Sequence, residues 1–268
     1  MRGRAARAAA LLGGDLRAAR PLHGGDLSEV VRLELADGRS VVAKFGDTAC
    51  AEARMLRAIA SAGVPAPEVL AVSGELLVMS DLGADEGPAA AWSDLGHVLA
   101  RLHGCAGTGY GWPRDHSFGS VAISNAASPD WPAFWAERRL LPMCSQIAPD
   151  LARRVERLAA RLTDLLPRAP TPALLHGDLW SGNIMARAGR VTGLIDPACY
   201  HGHGEVDLAM LCLFAQPSAD FDRAYGALAS GADERRPVYQ LWPALVHLSL
   251  FGAAYRGLVE RFLREAGE

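Results

Sequence analysis

The sequence predicts an α+β chain in two lobes, a small β-rich one over residues 1–82 and a larger, mainly helical one over 83–268. Three observations carry this reading. Residues 16–82 hold short runs of alternating apolar and polar side chains set between turn signals. From about Ala89 the apolar positions recur at helical spacing. Within that helical part lies one interruption, Leu174-Leu-His-Gly-Asp-Leu-Trp-Ser-Gly-Asn-Ile-Met185, closed by Gly193-Leu-Ile-Asp-Pro-Ala198.

The elements follow in order. Met1–Leu12 has a basic start and a run of small residues, but its apolar part is short and Arg7 interrupts it, so it reads as a first helix and not as a leader. Ser28–Leu35 alternates as a half-buried strand should, Asp37-Gly38 is a hairpin turn signal, and Ser40–Phe45 returns as the partner strand. Cys50–Ala60 is a helical pattern with Met55, Leu56 and Ile59 on one side, and Gly63-Val-Pro-Ala-Pro67 ends it. Two short strands are expected near Glu68–Val72 and Leu76–Met79.

In the second lobe, Ala89–His103 is an amphipathic helix. Residues 107–125, rich in Gly, Pro and aromatics, suggest an ordered loop. Helices are expected over Trp131–Gln146 and Asp150–Leu166, with Pro167–Pro172 as a rigid link. Val191–Ile195 is apolar and partly β-branched, a buried strand. Helices then cover Glu205–Phe214, Asp220–Ala229 and Val238–Arg264, the last expected to bend or break at Pro243.

Half of the 268 residues are apolar, enough for a sizeable core, and no apolar run approaches the length of a membrane span. The net charge of −3 argues against an electrostatic nucleic-acid binder. Five cysteines, an odd number with no C-x-x-C pair, point to free thiols and a cytoplasmic setting. Arg fills nearly every basic position, and Lys44 is the only lysine. Where Arg is the rule, the one remaining lysine is a position that needs a compact ammonium head.

The interrupting segment carries the chemistry. Asp178 and Asn183 are five apart, and Asp196 follows Asn183 by thirteen at the end of a strand. This is the layout of a kinase catalytic loop and its metal-binding aspartate. Asp178 would accept the proton of an attacking hydroxyl, while Asn183 and Asp196 would hold Mg²⁺ against the phosphates of ATP. Gly177 and Gly182 allow the turns between them. Lys44 would reach the α/β-phosphates, with Glu52 on the next helix fixing its ammonium. Gly24 and Gly25, in an expected turn between strands before Lys44, would let backbone amides approach phosphate oxygens. Met79-Ser-Asp81-Leu sits where the lobes join, and its backbone would bind the adenine edge, with Val42 and Met79 as apolar walls. His176 either touches substrate or supports the loop through hydrogen bonds. Asp207 could accept amide hydrogen bonds from the catalytic loop. Glu205 either faces the sugar or caps its helix.

His-Gly-Asp-Leu-Trp-Ser-Gly-Asn at 176–183, with Trp180 inside the loop, closely resembles the fructosamine kinase (ketosamine-3-kinase) family, of the aminoglycoside phosphotransferase-like, protein-kinase-like fold. Asp196–Met210 is similar to that family's second signature. Asp130–Leu140, Phe221–Tyr225 and Tyr239–Gly252 are similar to further segments, so the resemblance covers nearly the whole chain. It implies ATP-dependent phosphorylation of the 3-hydroxyl of a sugar joined to an amine, a deglycation step on a glycated amino acid or protein. It implies Asp178 as base, Asn183 and Asp196 as metal ligands, Lys44 on the phosphates, and Trp180 and Glu205 on the substrate side. Gly204 departs from the family, which usually has Arg there, so the acceptor preference is open. The alternatives are a kinase of the same fold acting on an aminoglycoside, choline or homoserine-like alcohol, which an acceptor panel separates, and a non-catalytic nucleotide-binding regulator. Retention of Lys44, Asp178, Asn183 and Asp196 together argues against the regulator.

Overall fold

The computed structural model describes residues 2–22 and 28–268, without the side chain of Arg2. Helix α1 (Arg2–Leu11) leads into strands β1 (Leu16–Pro21), β2 (Glu29–Leu35) and β3 (Ser40–Phe45), helix α2 (Ala49–Ser61), and strands β4 (Val69–Ser73) and β5 (Leu76–Ser80). The strands form one antiparallel sheet in the order β1-β2-β3-β5-β4.

Strand periodicity decides what each face of this sheet meets. Val31, Leu33 and Leu35 of β2, with Val41 and Ala43 of β3, point to one face and pack against Ala5, Ala8 and Ala9 of α1. Val42 points to the other face, where it joins Leu77, Met79 and the α2 residues Ala49, Ala53 and Leu56. Lys44 lies two residues beyond Val42, so it shares that face and is directed at α2. One helix therefore both covers the sheet and supplies the partner of the single lysine.

The larger lobe contains α3 (Trp92–His103), the hairpin β6 (His116–Phe118) and β7 (Val121–Ile123), α4 (Trp131–Trp135), α5 (Pro149–Ala160) and α6 (Leu162–Leu165). Strands β8 (Ala173–Leu175), β9 (Ile184–Arg187), β10 (Arg190–Leu194) and β11 (Tyr200–Gly202) follow, paired β8 with β11 and β9 with β10. Helices α7 (Glu205–Phe214), α8 (Ala219–Tyr225), α9 (Ala232–Phe251) and α10 (Arg256–Glu265) complete it. One core cluster joins Met55, Ile59 and Val64 of the smaller lobe to α3, β9, β10 and α7, so the lobes share a continuous hydrophobic contact. A second is built on Trp131, Phe134, Trp135, Tyr200, Tyr239 and Trp242.

Several expected elements differ. The helix expected over Trp131–Gln146 is α4 followed by a π turn (Ala136–Leu140) and a 3₁₀ stretch (Leu141–Gln146). The π turn carries Arg139 inward, 1% exposed, with its guanidinium 4.2 Å from the centre of the Tyr200 ring and 5.2 Å from that of Trp242. The loop at 107–125 contains the β6–β7 hairpin. The Asp150–Leu166 helix divides at Arg161, and α8 stops at Gly226, where φ is 106°. The last helix neither starts nor breaks where expected. It begins at Ala232, runs through Pro237 and Pro243, and ends at Gly252, with φ 82° and ψ −162°. Every residue from Pro237 to Val246 is buried, so packing on both sides outweighs the missing proline donors. No described helix is long and apolar enough to cross a membrane, and all five cysteines are free.

Candidate active site

The loop from His176 to Asn183 joins β8 to β9 and is fixed from underneath by one carboxylate. Asp207, fully buried in the first turn of α7, accepts the His176 amide at 2.7 Å, the Gly177 amide at 2.9 Å and His103 Nε2 at 3.1 Å. Burial alone would raise its pKa, but the hydrogen bond and charge of His103 and the Gly177 amide prevail and hold it below the usual carboxylate value. Tyr225 Oη is hydrogen-bonded to the other ring nitrogen of His103 at 2.9 Å. Gly177 sits at φ 81°, and a Cβ there would lie 2.1 Å from the Ala198 carbonyl oxygen, so only glycine fits.

His176 is fully buried. Its Nε2–H donates to the Ile195 carbonyl at 2.9 Å and its Nδ1 accepts the Asp178 amide at 3.3 Å. That pattern requires the neutral ring, and burial lowers its pKa accordingly. His176 does not line the cleft, so of its two expected roles the structure assigns support, and the substrate contact is corrected.

Asn183 Nδ2 donates to the Asp178 backbone oxygen at 2.8 Å and to Asp178 Oδ2 at 3.1 Å, closing the loop on itself. Burial pushes the pKa of Asp178 up to about 7, with Asp196 and Asp207 adding to the shift against the Asn183 hydrogen bond and Lys44. Asp196 adopts φ 53°, a left-handed conformation unusual for a non-glycine residue and a form of strain found at functional sites. It aims one oxygen at Lys44 Nζ, 2.8 Å away; Lys44 also lies 2.8 Å from Glu52 Oε2. Burial opposes the Lys44 charge, but the two carboxylates outweigh it and hold its pKa above the ordinary value. The pair thus ties β3 and α2 of the smaller lobe to the strand end of the larger one.

These groups line one cleft of about 610 Å³, which holds Lys44, Glu52, Asp178, Trp180, Asn183 and Asp196 together. Oxygen donors on Asn183 and Asp196 suit a hard cation that takes its remaining ligands from water and phosphates. No group of three or more His, Cys, Asp or Glu able to cage a metal occurs among the described residues.

The remaining expected residues divide. Trp180 lines the cleft, its ring against Gly182 and edge-on to Phe214 at 6.5 Å. Gly24 and Gly25 lie outside the described residues. Met79 is buried against α2, and the Asp81 carboxylate is engaged by Arg32 at 2.8 Å and Ser40 Oγ at 2.6 Å, so neither side chain is free to reach a ligand, and the Ser80 amide is already bonded to the Glu68 carbonyl. Glu205 is corrected. Its carboxylate is gripped by Arg235 of α9, at 2.7 Å and 2.6 Å, and lines a second cavity of about 460 Å³ instead of the cleft. The reason is helical geometry: residues two apart point about 200° apart, and Asp207 already faces the loop. Sequence reasoning missed His116 and Phe118 of the β6–β7 hairpin, and Phe214, His247, Phe251 and Tyr255, all of which line the cleft. Only the glycine- and aromatic-rich composition of 107–125 hinted at the first pair.

A profile of the fructosamine kinase family matches residues 6–266. The chain belongs to the fructosamine kinase family. It is 37% identical to a probable ketoamine kinase of Thermus thermophilus over 90% of this chain and 91% of that one. A solved structure from Thermobifida fusca, assigned as a fructosamine-3-kinase, superposes with a TM-score of 0.91 at 33% identity and covers 99% of each chain. A thermostable aminoglycoside phosphotransferase, solved with AMP-PNP and hygromycin B, shares the fold with a TM-score of 0.68 at 19% identity, covering 94% of this chain and 95% of that one. The family and these neighbours make the chain a phosphotransferase of protein-kinase-like fold acting on an alcohol group.

Proposed function

We propose that this fructosamine kinase family member transfers the γ-phosphoryl group of ATP to the 3-hydroxyl of a ketosamine, as a step in deglycation. The observation that carries the reading is the convergence in one cleft of Asp178, held by Asn183, with Lys44 bridging Glu52 and Asp196. Asp178 orients the acceptor hydroxyl and takes its proton as the oxygen bonds to the γ-phosphorus and the bond to the β–γ bridging oxygen breaks, releasing ADP. Lys44 binds the α/β-phosphates, and Glu52 keeps its ammonium from turning away. Asn183 and Asp196 would hold Mg²⁺, which supplies neutralisation of charge on the phosphates. Trp180 borders the sugar. Backbone groups at Met79–Asp81 bind the adenine edge.

The test is ADP release with Mg²⁺ on fructosyl-lysine, ribulosyl-lysine, an aminoglycoside and choline, with Asp178→Ala as control and the product's phosphate position read by NMR. Turnover of the ketosamines that depends on Asp178, with phosphate on the 3-oxygen, is expected. Turnover confined to the aminoglycoside or choline would overturn the substrate assignment, and undiminished turnover in Asp178→Ala would overturn the role of that residue.

A further inference from the structure

From Trp180, two residues past Asp178, the wall of the cleft continues as a chain of rings. The Phe214 ring lies 6.5 Å from that of Trp180, and His247 lies 5.6 Å from Phe214. Phe251 and Tyr255 lie 5.5 Å and 5.0 Å from His247, and 5.9 Å from each other. The stop of α9 at Gly252 produces this cluster, because the chain turns there and brings Tyr255 back onto the last turn of the helix. His247 Nδ1 is tied to the Pro243 carbonyl at 2.7 Å, which fixes the central ring. Phe214 and Phe251 are 47% and 45% exposed, the most exposed large apolar side chains among the described residues, and both open onto the cleft.

The charge pattern along the cleft is uneven. Lys44 is the only lysine or arginine among the described residues that line it, and it is held by Glu52 and Asp196. The ring wall contains no carboxylate and no guanidinium. A carboxylate carried to that wall would find no lysine or arginine there to pair with. A protonated secondary amine bearing an apolar group would instead meet ring faces, which attract cations and bury hydrocarbon.

We infer that this wall is the subsite for the amine-borne substituent of the acceptor, and that it selects ketosamines whose amine carries an uncharged alkyl or arylalkyl group over those whose amine carries a nearby carboxylate. The inference rests on the ketosamine reading given above. The sugar's reacting hydroxyl lies at Asp178, and the substituent runs past Trp180 along Phe214, His247, Phe251 and Tyr255.

The experiment compares kcat/KM for the fructosamine of benzylamine with that of glycine, on the wild type, Phe251→Ala and Phe251→Arg. Phe251 is exposed, so both variants should keep the wild-type melting temperature, measured alongside. The wild type should favour the benzylamine adduct by about tenfold or more, the scale of one well-placed aromatic contact. Phe251→Ala should lower that preference, and Phe251→Arg should raise kcat/KM for the glycine adduct while leaving KM for ATP unchanged. Equal kcat/KM for the two adducts, or a preference untouched by Phe251→Arg, would overturn the subsite. If neither adduct is phosphorylated while an aminoglycoside or choline is, the ketosamine reading itself falls and the inference falls with it.

Discussion

Replacing Asp207 by Asn isolates how the loop beneath Asp178 is held. The carboxylate serves three donors, the His176 and Gly177 amides and His103 Nε2. An asparagine offers one accepting oxygen. If that oxygen stays with His176 and His103, the new NH₂ faces the Gly177 N–H, and one buried amide is left without a partner. That alone costs about 1–3 kcal/mol, and the surviving bonds lose their charge-assisted part, roughly another 1 kcal/mol. Against a native stability of order 5–15 kcal/mol, the variant should still fold. Gly177 precedes Asp178 directly, so its release should displace the base by an amount on the order of 1 Å, enough to slow turnover about 10²-fold. ATP affinity should change little, because Lys44, Glu52 and Asp196 do not contact Asp207. Urea unfolding at pH 7 reads the stability loss, ADP release under saturating acceptor reads kcat, and calorimetry reads ATP binding. Loss of stability with kcat within about threefold of wild type would refute the claim that this clamp positions Asp178.

Lys44→Met should leave Glu52 buried without its cation and abolish measurable turnover while weakening ATP binding; wild-type ATP affinity by calorimetry would contradict the assigned phosphate contact. Arg235→Ala should destabilise the fold by about 3–5 kcal/mol in urea, because it strands the buried Glu205 carboxylate, and should alter KM for the acceptor little. A large KM effect at unchanged stability would show Glu205 acting on substrate after all. His203 supplies a pH test: its Nδ1 accepts from Tyr239 Oη at 2.8 Å, and burial lowers its pKa to about 4. Between its unfolded value of about 6.5 and that value the unfolded chain binds the proton and the native chain does not, so stability falls as pH falls, by about 2 kcal/mol at pH 5. His203→Asn should flatten the difference in unfolding free energy between pH 7 and pH 5 by that amount; an unchanged difference would refute the neutral, buried assignment.

What the sequence disclosed follows from how tightly each residue is bound to its element. Strand alternation places Lys44 on the same face as Val42, and the next helix must cover that face, so Glu52 could be anticipated from spacing alone. The distances from Asp178 to Asn183 and from Asn183 to Asp196 are loop and strand lengths, which a sequence shows directly. Glu205 and His176 each kept two readings for a different reason. Their neighbours in the chain are functional, but the direction of each side chain depends on its partner, Arg235 for one and the Ile195 carbonyl for the other. Neither partner is near in sequence. Pro243 was given its intrinsic helix-breaking preference, and burial of the surrounding turns outweighed it. The ring wall was out of reach because it draws on the end of α7, the last turns of α9 and the residues after Gly252, and only the folded chain brings these together.

The isolation of Lys44 has a consequence for the protein's own chemistry. Reducing sugars attack unprotonated, accessible amines. This chain presents a single side-chain amine, 8% exposed, kept protonated by two carboxylates. Every other basic side chain that is not histidine is an arginine. A member of the fructosamine kinase family, proposed above to act on ketosamines, is therefore itself a poor target for the adduct at lysine, and incubation with ribose should leave Lys44 unmodified while ordinary lysine-rich proteins in the same tube acquire the sugar.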